Sequence, residues 1–176
     1  MLQIDLSTFP ELQTERLILR QLRITDSDAI FALRSDDEVN KYIGRKKAAS
    51  VDDAIAHIQK ISEVTQSNEA VFWAITFKGE DKLIGTILYW NIDKANHIAE
   101  IGYELLPEYQ GRGIMQEALA AVIAYGFNQL KIKTIEAYTI PANERSLSLL
   151  NKFGFEKKPN PRGDSPEVIY ALSADR

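Results

Sequence analysis

The spacing of hydrophobic and polar positions changes several times along the chain, and each change marks an element. Arg16-Leu17-Ile18-Leu19-Arg20-Gln21-Leu22 alternates over part of its length, as a half-buried strand does. Thr25-Asp26-Ser27-Asp28 then combines a capping side chain with first-turn acids, and Ala29, Ile30, Ala32 and Leu33 supply the apolar side of the helix it opens. Asp36 to Lys47 is polar and broken by Gly44, which predicts a loop with one helical turn. Ser50-Val51-Asp52-Asp53 starts a second helix, with Ile55, Ile58, Ile61 and Val64 about one turn apart. Val71 to Phe77 and Leu83 to Trp90 are β-rich runs joined by Lys78-Gly79-Glu80-Asp81-Lys82, a hairpin. Ile98 to Leu106 follows the short turn Asn91 to Asn96, giving three antiparallel strands in succession.

The second half of the chain continues the alternation of element types. Ile114 to Leu130 is apolar on more than one side, which predicts a deeply buried helix. Gly126 inside it costs roughly 1 kcal/mol relative to alanine in an exposed helix, so close packing is expected around it. Lys133 to Ile140 is another strand and Asn143 to Phe153 another helix. Gly154 suits the left-handed position after that helix, letting Phe155 pack back on Leu150 in a Schellman stop. Val168 to Leu172 closes the sheet. The order β-α-α-β-β-β-α-β-α-β is neither doubly wound nor a meander.

Composition narrows the class. With 176 residues, 45% of them hydrophobic, the chain suits one globular domain over residues 1–176. A net charge of −4 with scattered Lys and Arg leaves no basic footprint for nucleic acid. No apolar run approaches the ~20 residues of a membrane span, and the N-terminus lacks the charged-then-apolar order of a signal peptide; the cytoplasm is the expected compartment. The absence of cysteine excludes disulfides, thiolate metal sites and a cysteine-linked intermediate. The histidines, His57 and His97, have no ligand partner at short spacing, so no metal is expected and both read as surface residues. No Gly-x-Ser-x-Gly elbow supports a serine hydrolase.

The segment richest in chemistry is Tyr109-Gln110-Gly111-Arg112-Gly113-Ile114-Met115-Gln116-Glu117, between a strand and a helix start. A glycine turn there aims backbone N–H groups at the positive end of a helix dipole, an arrangement that binds phosphate. A P-loop would need a Lys-Ser/Thr pair that this turn lacks. A dinucleotide fingerprint would need glycine where Gln116 stands, and an early position in the chain. An acyl-CoA pyrophosphate loop, Gln/Arg-x-x-Gly-x-Gly/Ala, fits at Gln110 and Gly113, with Met115 in place of the final small residue.

The order of elements, together with Thr14–Arg20, Ala99–Leu105, Pro107–Met115 and Asn143–Phe155, resembles the GNAT superfamily of acyl-CoA-dependent N-acetyltransferases, and in particular its RimJ/RimL branch. The resemblance runs in order over nearly the whole chain. It implies an α/β (α+β) fold with a mixed, mostly antiparallel sheet flanked by helices, in which the fourth and fifth strands splay apart to admit acetyl-CoA. The pantetheine arm is then expected on the main chain around Tyr103 and Leu105, and the pyrophosphate on Gln110, Gly111, Arg112, Gly113, Ile114, Met115 and Gln116. Asn143 has two readings: a helix N-cap, or a hydrogen-bonding partner of the pantetheine arm.

The implied reaction is direct attack of a primary amine on the thioester. Glu100 is the expected base, acting through water; its alternative is a plain strand carboxylate, and Glu104 shares its face unless a bulge intervenes. Ser146 also has two readings: an ordinary first-turn serine, or a serine near the coenzyme sulfur as in the resembling enzymes. They often carry a tyrosine seven residues after the asparagine, where this chain has Leu150, so Ser146, Tyr138 or water is left as proton donor. Trp73 and Trp90 are candidates both for the acceptor pocket and for the core. The acceptor is expected to be a protein N-terminal α-amine, with a small amine, an antibiotic, or a non-catalytic acyl-CoA-binding module as alternatives. The assembly is open between monomer and homodimer.

Overall fold

The protein is described here from a computed structural model covering residues 1–160, 163 and 165–175. Its strands are β1 (Leu12–Gln13), β2 (Leu17–Gln21), β3 (Val71–Phe77), β4 (Gly85–Asp93), β5 (Ile98–Leu105), β6 (Thr134–Thr139), β7 (Glu156–Lys158) and β8 (Val168–Ser173). Its helices are α1 (Ser27–Ser35), α2 (Asp37–Asn40), α3 (Val51–Gln66), α4 (Ile114–Asn128) and α5 (Glu144–Lys152). The strands form one sheet in the order β1-β2-β3-β4-β5-β6-β8-β7. Every pairing is antiparallel except β5 with β6.

Local chemistry accounts for most boundaries. Ser50 and Asp53 cap α3 reciprocally, each side chain accepting the other's backbone N–H. Gly154 adopts φ 77° after α5, and the N–H groups of Gly154 and Phe155 return to the carbonyls of Asn151 and Leu150, which is the expected Schellman pattern. The one-turn α2 is the helical turn expected between Asp36 and Lys47, whereas two features were not read from the sequence: the two-residue β1, and β7, whose three residues are exposed and carry no apolar signal. A 3-10 turn at Ile24–Asp26 also precedes α1.

Alternation along the central strands divides the molecule into two layers. Trp73, Ile75, Ile87, Tyr89, Ile101 and Leu105 face one side, where they pack with Ile114, Leu119 and Val122 of α4 and Leu150 of α5. Ala74 faces the other side and joins Ile30 and Leu33 of α1 with Ala54 and Ile58 of α3. Trp73 is thus core, completely buried with its indole N–H donating to Pro10 O at 2.7 Å. Trp90 is instead 43% exposed on the α1–α3 side. Gly126 lies against Tyr89: a Cβ there would come 2.5 Å from the Tyr89 hydroxyl, which bears out the expected close packing.

Candidate active site

Strands β5 and β6 run parallel but pair only at Ile98–Thr134, Ala99–Ile135 and Glu100–Glu136. Beyond Glu100 they separate, although β5 continues to Leu105 and β6 to Thr139. The next residue, Leu106, donates its N–H to Ile84 O, toward β4. By antiparallel alternation the main-chain groups of Ile101, Tyr103 and Leu105 therefore turn away from β4, into the gap. The side-chain amide of Gln110 reaches into this gap and donates to Leu105 O at 2.9 Å. An extended ligand can replace the missing neighbour strand here.

The glycine turn closes the far end of the gap. Gly111 and Gly113 both have left-handed φ values, 75° and 72°, and Gly113 is the N-cap of α4. Glu117 anchors the turn to the β1–β2 connection: its carboxylate accepts from Thr14 Oγ1 at 2.5 Å, Arg16 N at 2.8 Å and Arg16 Nε at 2.7 Å. Burial raises the Glu117 pKa, but these donors together outweigh it and hold the carboxyl below its ordinary value. Arg16 Nη1 also donates to Arg112 O, so the turn is fixed before any ligand arrives.

Gap and turn open into one cavity of about 970 Å³. Tyr103, Leu105, Gln110, Gly111, Gly113, Ile114, Met115, Gln116, Asn143 and Ser146 all line it. Asn143 caps α5 by accepting from Ser146 N at 3.3 Å, and the Tyr103 and Ser146 hydroxyls lie 2.8 Å apart. Burial pushes the Tyr103 phenol up to about 12, with the Ser146 hydrogen bond opposing the shift. The geometry offers backbone donors for an anion, a free strand edge for an extended arm, and a hydroxyl pair between them.

The two remaining sequence candidates sit elsewhere. Arg112 does not line the cavity; its guanidinium lies 5.8 Å from the centroid of the Tyr109 ring. The cavity cations are Lys41, Arg145 and Lys152 instead. Arg145 donates to Gln110 Oε1, and Lys152 Nζ donates to Gln116 Oε1 at 3.1 Å. Their spacing of seven, with Leu149 between them, marks one face of α5 and was the signal available in the sequence. Glu100 does not line the cavity either; it is buried at 8% exposure and accepts from Asn91 Nδ2 at 2.9 Å. The β4–β5 register runs unbroken from Trp90–Glu100 to Thr86–Glu104, so the two glutamates do share a face.

On that face Glu104, a cavity-lining residue, forms an ion pair with Arg45 at 2.6 Å. Arg34 Nη1 lies 3.5 Å from His57 Nε2, and His57 packs edge-on against Phe72. His57 is therefore half-buried rather than a surface residue, because α3 turns it inward over β3. Burial, then Arg34, Arg45 and Lys60, push its pKa down to about 4. Among the described residues no group of three or more His, Cys, Asp or Glu is placed to hold a metal, and no helix is long and apolar enough to cross a membrane.

A family model for the acetyltransferase (GNAT) domain matches residues 16–156. The chain is a GNAT N-acetyltransferase. It is 40% identical over 150 residues to an uncharacterized N-acetyltransferase, YoaA, of Bacillus subtilis, covering 85% of each. The acetyltransferase also superposes on the ribosomal-protein-S5-alanine acetyltransferase of Vibrio fischeri with a TM-score of 0.81 at 25% identity, over 94% of this chain and 97% of that one. A solved ribosomal L7/L12 α-N-protein acetyltransferase, RimL, in complex with coenzyme A shares the fold with a TM-score of 0.82 at 20% identity, over 94% and 99%. The splayed β5 and β6 are thus the fourth and fifth strands of this fold, counted one higher here because β1 precedes them.

Proposed function

We propose that this acetyltransferase moves the acetyl group of acetyl-CoA to a primary amine by direct attack in a ternary complex, with a protein N-terminal α-amine as acceptor. The observation that carries the reading is the continuity of the strand gap with the glycine turn in one cavity. Ribosomal-protein acetyltransferases among its structural neighbours support the choice of acceptor.

In this reading the unpaired main chain of Tyr103 and Leu105 binds the pantetheine arm, and Gln110 must release Leu105 O for it to do so. The amides from Gly111 to Gln116 take the pyrophosphate. Arg145 and Lys152 supply the positive charge that the sequence had suggested for Arg112, exchanging neutral glutamine partners for phosphate oxygens. Glu100 accepts the amine's proton through water, a strand N–H polarises the thioester carbonyl, and Ser146 faces the departing sulfur.

A chain without cysteine gives no background in a thiol assay, so turnover is directly measurable. Acetyl-CoA with peptides bearing a free α-amine is expected to release coenzyme thiol. Release only with polyamines or aminoglycosides would move the acceptor to small amines. Calorimetric binding of acetyl-CoA without release across all these amines would make the protein an acyl-CoA-binding module.

A further inference from the structure

In the acetyl-transfer reading Ser146 gives a proton to sulfur, but a serine that gives one up must be resupplied. The α5 position that holds a tyrosine in resembling enzymes is Leu150, which is completely buried in the core. The phenol comes from a different element. Tyr103 on β5 directs its hydroxyl across the gap to Ser146, 2.8 Å away, and both line the cavity. The cap from Asn143 fixes the first turn of α5 and with it the place of Ser146. Tyr103 pairs with Ile87 of β4, so its ring lies on the α4–α5 side of the sheet, opposite Glu100 and Glu104.

We propose that Tyr103 is the positioning residue for the leaving-group side of the reaction, its O–H donating to Ser146 Oγ so that the serine proton points at the departing sulfur. The inference rests on the acetyl-transfer reading above. As the C–S bond breaks, its electron pair stays on sulfur and the Ser146 proton moves there. The Tyr103 proton passes to Ser146 Oγ; Glu100 then returns the amine's proton to water and the phenol takes one from water, which resets both groups. The nitrogen–carbon bond replaces the carbon–sulfur bond, and no proton is gained or lost. One face of the sheet thus removes the proton from nitrogen and the other returns it to sulfur. With a pKa near 12, Tyr103 keeps its proton at neutral pH, as a donor must.

Tyr103→Phe keeps the ring and removes the donor. It is expected to lower kcat roughly tenfold while leaving the calorimetric Kd for acetyl-CoA unchanged. The loss is smaller than the roughly hundredfold minimum for a complete acid, because Ser146 still meets the sulfur. Combined with Ser146→Ala, it should cost nothing further, since the two hydroxyls act as a unit. A purely structural role for Tyr103 predicts instead that the two losses multiply, and that result would overturn the proposal. A working wild type with an unaffected Tyr103→Phe overturns it as well. A wild type that binds acetyl-CoA and acetylates no amine removes the transfer reading and the proposal together.

Discussion

The two faces of the sheet are built on different principles. Against α4 and α5 the sheet presents Trp73, Ile75, Ile87 and Tyr89, all completely buried, and Trp73 packs edge-on with both Tyr89 and Tyr125. Against α1 to α3 it has a smaller apolar cluster interrupted by charge: Arg20 with Asp26, Arg34 with His57, and Arg45 with Glu104. The apolar face tolerates little change of shape, because close-packed atoms have nowhere to go. The charged face tolerates shape better and charge worse, because an unpaired ion inside the protein has no water to replace its partner. The same division runs through the proposed reaction: the α1–α3 face carries Glu100 and Glu104, and the opposite one carries Tyr103, which meets Ser146 of α5.

The largest expected effect breaks the charged face. Arg20 and Asp26 are about 5% exposed and doubly hydrogen-bonded, Nη1 to Oδ2 at 2.9 Å and Nη2 to Oδ1 at 2.8 Å, and Asp26 also accepts from Arg23 N. Asp26→Ala strands a buried guanidinium and should cost about 3–5 kcal/mol in urea unfolding. A loss below about 1 kcal/mol would show that this face does not depend on its charges.

Acid titration tests the same face at His57. Its pKa is lowered from 6.5 to about 4 in the folded state, so between these values the unfolded chain binds more protons. Stability is therefore expected to fall as pH drops from 6.5 toward 4, by up to about 3 kcal/mol at roughly 1.4 kcal/mol per unit, with no further loss from this group below 4. His57→Gln should flatten that stretch of the stability–pH curve; an unchanged slope would assign the acid sensitivity to other groups.

The apolar face is tested at Gly126. Alanine there gains about 1 kcal/mol of helix propensity but drives its Cβ to 2.5 Å from a Tyr89 hydroxyl held by Val122 O at 2.9 Å. Overpacking of this kind costs about 1–3 kcal/mol, so a net loss near 1 kcal/mol is expected in thermal or urea unfolding. A stabilised variant would mean that this side has slack.

Legibility in the sequence follows the range of the interactions involved. Periodicity, caps and glycine chemistry act over a few residues, and so the helix starting at Ser50, the stop at Gly154 and the turn at Gly111–Gly113 could all be read in advance. Exposed β7 could not, because its place is set by pairing with β8 rather than by its own residues. In the cofactor loop most of the expected residues line the cavity. Arg112 does not, since the direction of a surface side chain depends on neighbours such as Tyr109. His57 was misread as a surface residue because nothing local shows that α3 turns it over Phe72.

Sequence alone determined the family, the glycine turn between a strand and a helix, and a chemistry without cysteine. These rest on contiguous motifs and on composition, which need no folding to be visible. Only the tertiary structure decided that the expected parting of β5 and β6 begins after Glu100, that α5 supplies the cavity's Arg145 and Lys152, and that Tyr103 meets Ser146. Each of these joins residues from different elements, 43 positions apart in the last case, and such pairs meet only when the sheet and helices are packed.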